Sequence, residues 1–246
     1  MKVLNGIFHV SRSLLLSALI LTALIFLPGK TFSDDIFNAG LSFDIVTPQN
    51  EFKDNLDRNG YGGSGYALVQ PNPLLPVKFG LELGFANYGM ESRREPFSYS
   101  IPDVTVNVKR SNNIFLGHLL VRGQKEYGNI SPYIDGLFGL TYLWTDTTIE
   151  GEDELQQIAS SQNIDDIALS YGFGGGVMFK VWSGPIPEIE TGSVYIDLKI
   201  RYLNGGNAEY LKEGAIAVGD EGKVTYNVTE SRTDMMLYQI GVSVGF

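Results

Sequence analysis

The sequence predicts an all-β protein, an eight-stranded antiparallel up-and-down transmembrane β-barrel that follows a cleaved signal peptide. Eight stretches alternate apolar and polar residues, and this period of two is typical of strands with one face in an apolar medium. The segments that connect them alternate between long and short, as in barrels with loops on one side of a membrane and turns on the other. The last stretch ends on the C-terminal Phe246, and its roughly ten residues are enough to cross a bilayer when tilted.

The N-terminus has the pattern of a signal peptide. A basic segment precedes an apolar run from Leu14 to Leu27, and this run of about 14 residues is too short for a spanning helix. Thr31 and Ser33 place small residues at the −3 and −1 positions of a cleavage site. We therefore predict a signal peptide over residues 1–33 and an outer-membrane β-barrel domain over residues 34–246.

Charge and composition exclude several kinds of partner and binding site. The chain has 18 Lys and Arg and 28 Asp and Glu, and three of the bases but none of the acids fall within residues 1–33. The mature chain then has 15 bases, 28 acids and a net charge of −13, which excludes nucleic acid as a partner because phosphate binding needs clustered Lys and Arg. Without cysteine there is no disulfide and no thiolate metal site. No phosphate-binding, dinucleotide-binding, zinc or nucleophile-elbow motif occurs, so we predict no cofactor.

The first three strands are predicted at 37–46, 61–70 and 77–86. The second is rich in glycine and stops at residues 71–76, where three prolines cannot donate to a strand ladder. The third has one of the clearest patterns, with apolar residues at alternate positions. The apolar faces of the first and third strands are Phe37, Ala39, Leu41, Phe43 and Ile45, and Val77, Phe79, Leu81, Leu83 and Phe85.

The other five strands are predicted at 113–123, 132–144, 167–181, 194–202 and 236–246. In the fourth we place Phe115, Gly117, Leu119 and Val121 outward. The inward residues of the fourth to seventh strands then include His118, Arg122, Tyr133, Asp135, Met178, Lys180, Tyr195, Asp197, Lys199 and Arg201.

The connecting segments have about 14, 6, 25, 8, 22, 11 and 30 residues. The long ones are predicted as loops at 47–60, 88–112, 145–166 and 204–233. Both chain ends lie on the side of the short turns, which we expect to face the periplasm, so the four loops are extracellular. The loop at 145–166 contains seven acids and no base, a pattern typical of a solvated charged segment rather than a calcium site.

Three runs of residues carry a resemblance to known proteins. The run from Pro132, the glycine-rich run from Tyr171 and the terminal Ile240-Gly-Val-Ser-Val-Gly-Phe246 resemble small eight-stranded outer-membrane barrels. These are the outer-membrane-protein-A transmembrane domain and the opacity-type porin-like family. The likeness is one of pattern and spans residues 36–246. It implies a location in the outer membrane of a diderm bacterium, and it implies that Phe246 is the signal read by the barrel-assembly machinery.

Charged residues at inward positions form the candidate site. An eight-stranded barrel is just wide enough to be filled by side chains, so charges inside it have to be paired. One interpretation is a salt-bridged plug that stabilises the barrel; the other is a narrow ion path, gated by Arg201 and Lys199 opposite Glu82 or Asp135. The predicted network consists of Asp44, Lys78, Glu82, His118, Arg122, Asp135, Lys180, Asp197, Lys199 and Arg201.

His118 is the one histidine outside the predicted signal peptide. An outer-membrane hydrolase or acyltransferase would need a histidine beside a serine or an acid. No serine lies near His118 on its own strand, so we interpret it as structural. If the parity of this strand were reversed, the enzymatic interpretation would gain support.

These features predict a non-enzymatic integral outer-membrane barrel with a structural or surface-interaction role. A low-conductance porin-like channel is the alternative. A soluble lipocalin-like barrel is a further one; it would place the apolar face inside and the charged face outside. Outward aromatic rings favour the membrane. The expected partners are outer-membrane lipid and lipopolysaccharide, the barrel-assembly machinery and an extracellular ligand bound by the loops.

Overall fold

The computed structural model describes residues 35–56, 58–98, 101–150, 157–186, 189–212, 215–218 and 224–246. The predicted signal peptide and the cleavage site after Ser33 lie outside the described residues. Within these ranges, no helix has the length and apolar character needed to span a bilayer.

Eight long strands close into one barrel, which confirms the predicted fold class. The elements are β1 (Phe37–Pro48), α1 (Asn50–Asn55), β2 (Gly60–Val69), β3 (Val77–Ser98), β4 (Ile101–Gln124), β5 (Ile130–Glu150), β6 (Gln157–Ile186), β7 (Ile189–Gly205), β8 (Asn207–Tyr210), β9 (Ile216–Val218), β10 (Val224–Tyr226), β11 (Thr229–Arg232) and β12 (Met235–Gly245). The barrel order is β1-β12-β7-β6-β5-β4-β3-β2, and every neighbouring pair is antiparallel. The short strands β8 to β11 pair among themselves between β7 and β12.

The outer wall is apolar and the lumen is largely polar. Leu81 and Leu83 on β3 are each 56% exposed, whereas Glu82 between them is 5% exposed. The fourth predicted strand has the parity assigned to it, since Leu119 is 58% exposed and His118 is buried. A wall of exposed leucine, phenylalanine and isoleucine around buried charges is the arrangement of a barrel that spans a membrane.

Strands β3 to β6 run well beyond the segments predicted for them. The prediction of loops at 88–112 and 145–166 is wrong for most of these residues, because β3 continues to Ser98, β4 begins at Ile101, β5 continues to Glu150 and β6 begins at Gln157. The backbone ladders continue through these extensions. Polar residues predominate in these sequences, and the alternating Val104, Val106 and Val108 are the main sign of a strand among them. The connection of about 11 residues predicted between the sixth and seventh strands is also too long, since β6 reaches Ile186 and β7 begins at Ile189.

Phe37 and Phe246, at the start of the first barrel strand and after the last one, bind each other and help to close the barrel. The N–H of Phe37 donates to the carbonyl of Phe246 at 2.7 Å, and the N–H of Phe246 donates to the carbonyl of Phe37 at 2.9 Å. Their rings stack with centroids 5.9 Å apart. We call this end of the barrel the terminal end and the opposite end, which carries α1 and β8 to β11, the loop end.

Candidate functional site

The inward side chains meet because the strands place them in shared register rows. Arg122 on β4 is the direct cross-strand partner of Asp135 on β5. Glu82 on β3 is the partner of His118. Since an eight-stranded barrel is narrow, side chains from opposite walls also reach one another.

Six ionised side chains form a charge belt across the lumen: Glu82, Arg122, Asp135, Asp197, Lys199 and Arg201. The guanidinium of Arg122 donates to Asp135 through Nε at 2.8 Å and through Nη2 at 3.0 Å. Arg201 donates to the same carboxylate at 2.6 Å and also to Glu82. All six side chains belong to buried residues. Arg201 thus contacts both of the acids that were named as alternatives opposite it, Glu82 and Asp135.

Two tyrosines complete the belt. The hydroxyl of Tyr133 donates to Asp197 at 2.5 Å, and that of Tyr66 reaches the same carboxylate at 3.3 Å. Arg122 lies over the Tyr133 ring at 3.7 Å from its centroid, and the ammonium of Lys199 lies 4.5 Å from that of Tyr66. These rings supply cation–π contacts within the buried belt. The sequence did not place Tyr66 in the network, since its hydroxyl reaches Asp197 only across the closed lumen.

An apolar layer separates the charge belt from the loop end. Its side chains come from six different strands and are each at most 2% exposed. The sequence predicted a charged lumen but not this layer. The layer consists of Val46, Ala86, Ile114, Leu143, Leu203 and Leu237.

The loop end is covered by folded chain. Phe52 of α1 packs against Tyr210 with ring centroids 5.2 Å apart and against Tyr88 at 6.1 Å. Arg110 on β4 donates to the carbonyl of Leu211 at 3.2 Å and to that of Lys212 at 2.5 Å. The inward face of β4 thereby holds the segment after β8 over the mouth of the barrel. We call this part the loop cap.

A second set of polar contacts closes the terminal end. The ammonium of Lys78 donates to the carbonyl of Asp35 at 3.1 Å and to the side chain of Asn38. The hydroxyl of Tyr195 donates to the Asp35 carboxylate at 2.6 Å. Burial raises the pKa of Asp35 above its ordinary value, and the hydrogen bond from Tyr195 offsets part of this effect.

Two predicted members of the network belong to the terminal end and not to the belt. Lys78 is buried there, as just described. Lys180 lies 3.5 Å from Glu126, and its side chain is 22% exposed. The prediction that it joins the central network is wrong, because position 180 on β6 has already reached the level of Tyr195, its register partner.

His118 has a serine partner that its own strand does not show. The imidazole Nε2 lies 2.6 Å from Ser170 Oγ on β6. Gly139 on β5 sits between them in the register, and a Cβ at Gly139 would lie 2.0 Å from the carbonyl oxygen of Gly117. Both polar residues are buried, at 3% and 0% exposed. The pair is thus shielded from lipid and solvent, as expected of the predicted structural role.

Asp44 lies apart from the belt. Its Oδ1 accepts hydrogen bonds from Ser64 Oγ at 3.0 Å and from Gln239 Nε2 at 2.9 Å. Asp44 is 1% exposed, and in the described part of the chain no base lies within ion-pair distance of it. The structure therefore joins six of the ten predicted network residues in the belt and places the other four elsewhere in the lumen.

The lipocalin-like alternative is wrong, because the apolar face is outside and the charges are inside. The lumen is occupied by the belt, the apolar layer and the loop cap. A recess of about 1080 Å³ is lined mainly by lipid-facing residues such as Phe43, Phe173 and Ile240, and also by the lumen residues Asp135, Lys199, Arg201 and Gln239.

A closed eight-stranded barrel with an apolar outer wall and a filled, charged lumen defines the class of small outer-membrane β-barrel proteins. The chain has the fold of this class, as the resemblance of its sequence runs implies.

No family model matches the chain. No curated protein matches it either. Solved structures do show similar folds. Neisserial surface protein A is 12% identical, with 85% of this chain and 96% of that chain covered and a TM-score of 0.42. Ail, the attachment invasion locus protein of Yersinia pestis, in complex with the heparin analogue sucrose octasulfate, is 14% identical, with 85% and 96% covered and a TM-score of 0.36. A major outer membrane protein of Thermus thermophilus is 11% identical, with 85% and 99% covered and a TM-score of 0.39.

Proposed function

We propose that this protein is a non-conducting, non-enzymatic outer-membrane barrel that has a structural role and presents a rigid extracellular surface for contact. The observation that carries the proposal is the apolar layer between the charge belt and the loop cap. An ion crossing the lumen would have to pass this section, whose described lining consists of aliphatic side chains that cannot replace its hydration shell.

The surface role is supported by the extensions of β3 to β6. On the outer wall, Trp144 lies 5.8 Å from Phe85 and 5.1 Å from Tyr142 between ring centroids. This aromatic cluster is typical of a membrane interface. Hydrogen bonds lie on the loop-end side of this cluster. Asn113 donates one to Asp146 at 3.2 Å, and Trp144 Nε1 donates one to the same carboxylate at 2.8 Å.

The sheet continues well past this interface. The β3–β4 ladder runs from Asn87 paired with Asn113 to Ser98 paired with Ile101. A strand of about 11 residues extends roughly 35 Å along its axis. With the terminal end in the periplasm, this sheet projects outward, where outer-leaflet lipid, lipopolysaccharide and an extracellular ligand are the partners we expect.

A planar-bilayer recording of the refolded barrel tests the closed lumen. We expect no conductance steps above the protein-free bilayer. Folding is verified on the same sample by the mobility difference between boiled and unboiled protein in electrophoresis. Reproducible steps from folded barrel would overturn the non-conducting function.

A low-conductance channel is the second candidate, and one observation favours it. Glu82 Oε2, Lys199 Nζ and Arg201 Nε are buried without a hydrogen-bond partner among the described residues, which indicates small hydrated gaps in the belt. If steps are recorded, Arg201→Ala should change their size or ion selectivity, since Arg201 links both sides of the belt. An unchanged current in Arg201→Ala would place the ion path elsewhere.

A further inference from the structure

Asp44 is a buried carboxylate that lacks a cationic side chain in contact. Both of its hydrogen bonds end on Oδ1, so Oδ2 accepts none from the described residues. Ser64 Oγ and Gln239 Nε2 are also bonded to each other at 2.9 Å. An ionised acid at membrane depth is costly unless it is compensated, and such residues mark sites of function.

The cations of the belt and of the terminal end are engaged with acids other than Asp44. In the belt, Glu82, Asp135 and Asp197 face the cations Arg122, Lys199 and Arg201. At the terminal end, the acids Asp35 and Glu126 accompany the cations Lys78 and Lys180. The ammonium of Lys199, on the strand beside Gln239, is already engaged with Glu82, Asp197 and the Tyr66 ring. Among the described residues, no cationic side chain contacts Asp44, so no ion pair neutralises its negative charge.

Oxygen atoms next to Asp44 are also without partners. Gln239, the register partner of Asp44, has a buried Oε1 that accepts no hydrogen bond, and the whole residue is 5% exposed. Ser42, on the same face of β1, has a buried Oγ without a partner. Ser42 and Ser64 are register partners. One wall of the lumen thus gathers a carboxylate, an amide oxygen and two hydroxyls.

We propose that Asp44, Ser42, Ser64 and Gln239 form a binding site for one desolvated monovalent cation of the size of sodium. The donor set consists of hard oxygens and has a single negative charge, so one positive charge neutralises it. Calcium, with two charges, would leave one positive charge behind at a site with a single carboxylate. The monovalent cation supplies the charge that no described side chain in contact with Asp44 provides, and this site is independent of whether the barrel conducts.

The first test compares melting of the barrel refolded in sodium chloride, potassium chloride or choline chloride at equal ionic strength. A ligand that binds only the folded state raises the melting temperature, by a few degrees once it is well above its dissociation constant. We expect sodium to raise the melting temperature relative to choline in the wild-type protein. Asp44→Asn should abolish this shift, whereas Asp165→Asn, an exposed carboxylate on β6, should retain it.

A second measurement does not depend on a variant that folds. The sodium-23 resonance should broaden on addition of folded wild-type barrel and should sharpen again when the barrel is boiled. Equal melting temperatures in sodium and choline, a sodium shift that survives in Asp44→Asn, or no broadening would each overturn the site. If the stability of the barrel responded to pH but not to sodium, the occupant would be a proton, and the proposed sodium site would also be overturned.

Discussion

Arg122 and Asp135 face each other as direct cross-strand partners on β4 and β5 and share two hydrogen bonds of 2.8 and 3.0 Å. Both side chains are fully buried. Arg201 reaches the same carboxylate from β7 at 2.6 Å, so one acid joins three strands of the barrel. The charge belt therefore connects strands across the lumen, and we expect its loss to destabilise the whole barrel.

Arg122→Ala should destabilise the barrel by about 3–5 kcal/mol, because removing one partner of a buried ion pair leaves the other charge poorly compensated. Unfolding in urea, followed by the mobility shift on boiling, gives the free energy of unfolding. Arg232→Ala is the matched control, since Arg232 pairs with Asp234 at 3.2 Å but is 47% exposed, and such pairs contribute at most about 1 kcal/mol. Equal losses in the two variants would contradict the belt as a stabilising element.

Gly139→Val should prevent the contact of His118 with Ser170 and should lower the yield of folded barrel. The reason is steric, because a Cβ at Gly139 would lie 2.0 Å from the carbonyl oxygen of Gly117 and 2.8 Å from the Cα of His118. Gly136→Val on the same strand is the control, since a Cβ there meets nothing within 4 Å. The fraction of heat-modifiable protein after refolding is the readout, and similar yields from both would refute the steric explanation.

Arg110→Ala should loosen the loop cap. Two hydrogen bonds from a charged donor to the carbonyls of Leu211 and Lys212 are lost, and each such bond contributes about 1.5–3 kcal/mol. We expect chymotrypsin to cleave after Tyr210 or Leu211 at least about tenfold faster, because local opening governs cleavage of folded chains. Lys109→Ala, one position away on the opposite face of β4, should cleave at the wild-type rate. A cap as resistant in Arg110→Ala as in wild type would show that Phe52 and Tyr88 hold it alone.

Phe246→Ala should lower the amount of folded barrel in the outer membrane of cells, in keeping with the role that the family resemblance implies for the terminal aromatic. Refolding of the purified variant should remain close to wild type, because the hydrogen bonds between Phe37 and Phe246 use backbone atoms. Phe37→Ala is the control, since it removes the same ring stack and leaves the C-terminal residue intact. If both variants assemble equally poorly in cells, the stack and not the terminal signal explains the loss.

The parts of the fold that touch lipid were predictable from the sequence. Each of the predicted segments falls on a barrel strand to within a residue, and the parity assigned to His118 and Arg122 is correct. Strand residues that face lipid are apolar at every second position, so this pattern can be read from a short stretch of sequence. The extensions of β3 to β6 are rich in polar residues, so their sequences resemble loops although the ladders continue.

By itself, the sequence determined the class of the protein, the direction in which the spanning side chains point and the content of charge in the lumen, because each depends on alternation along one strand. The tertiary structure alone decided which charges pair. Arg201 meets Glu82 from a position 119 residues away, His118 meets Ser170 across Gly139, and Asp44 remains outside the belt. These outcomes depend on the register between strands and on contacts across the closed lumen. Neither can be read from the sequence of a single strand.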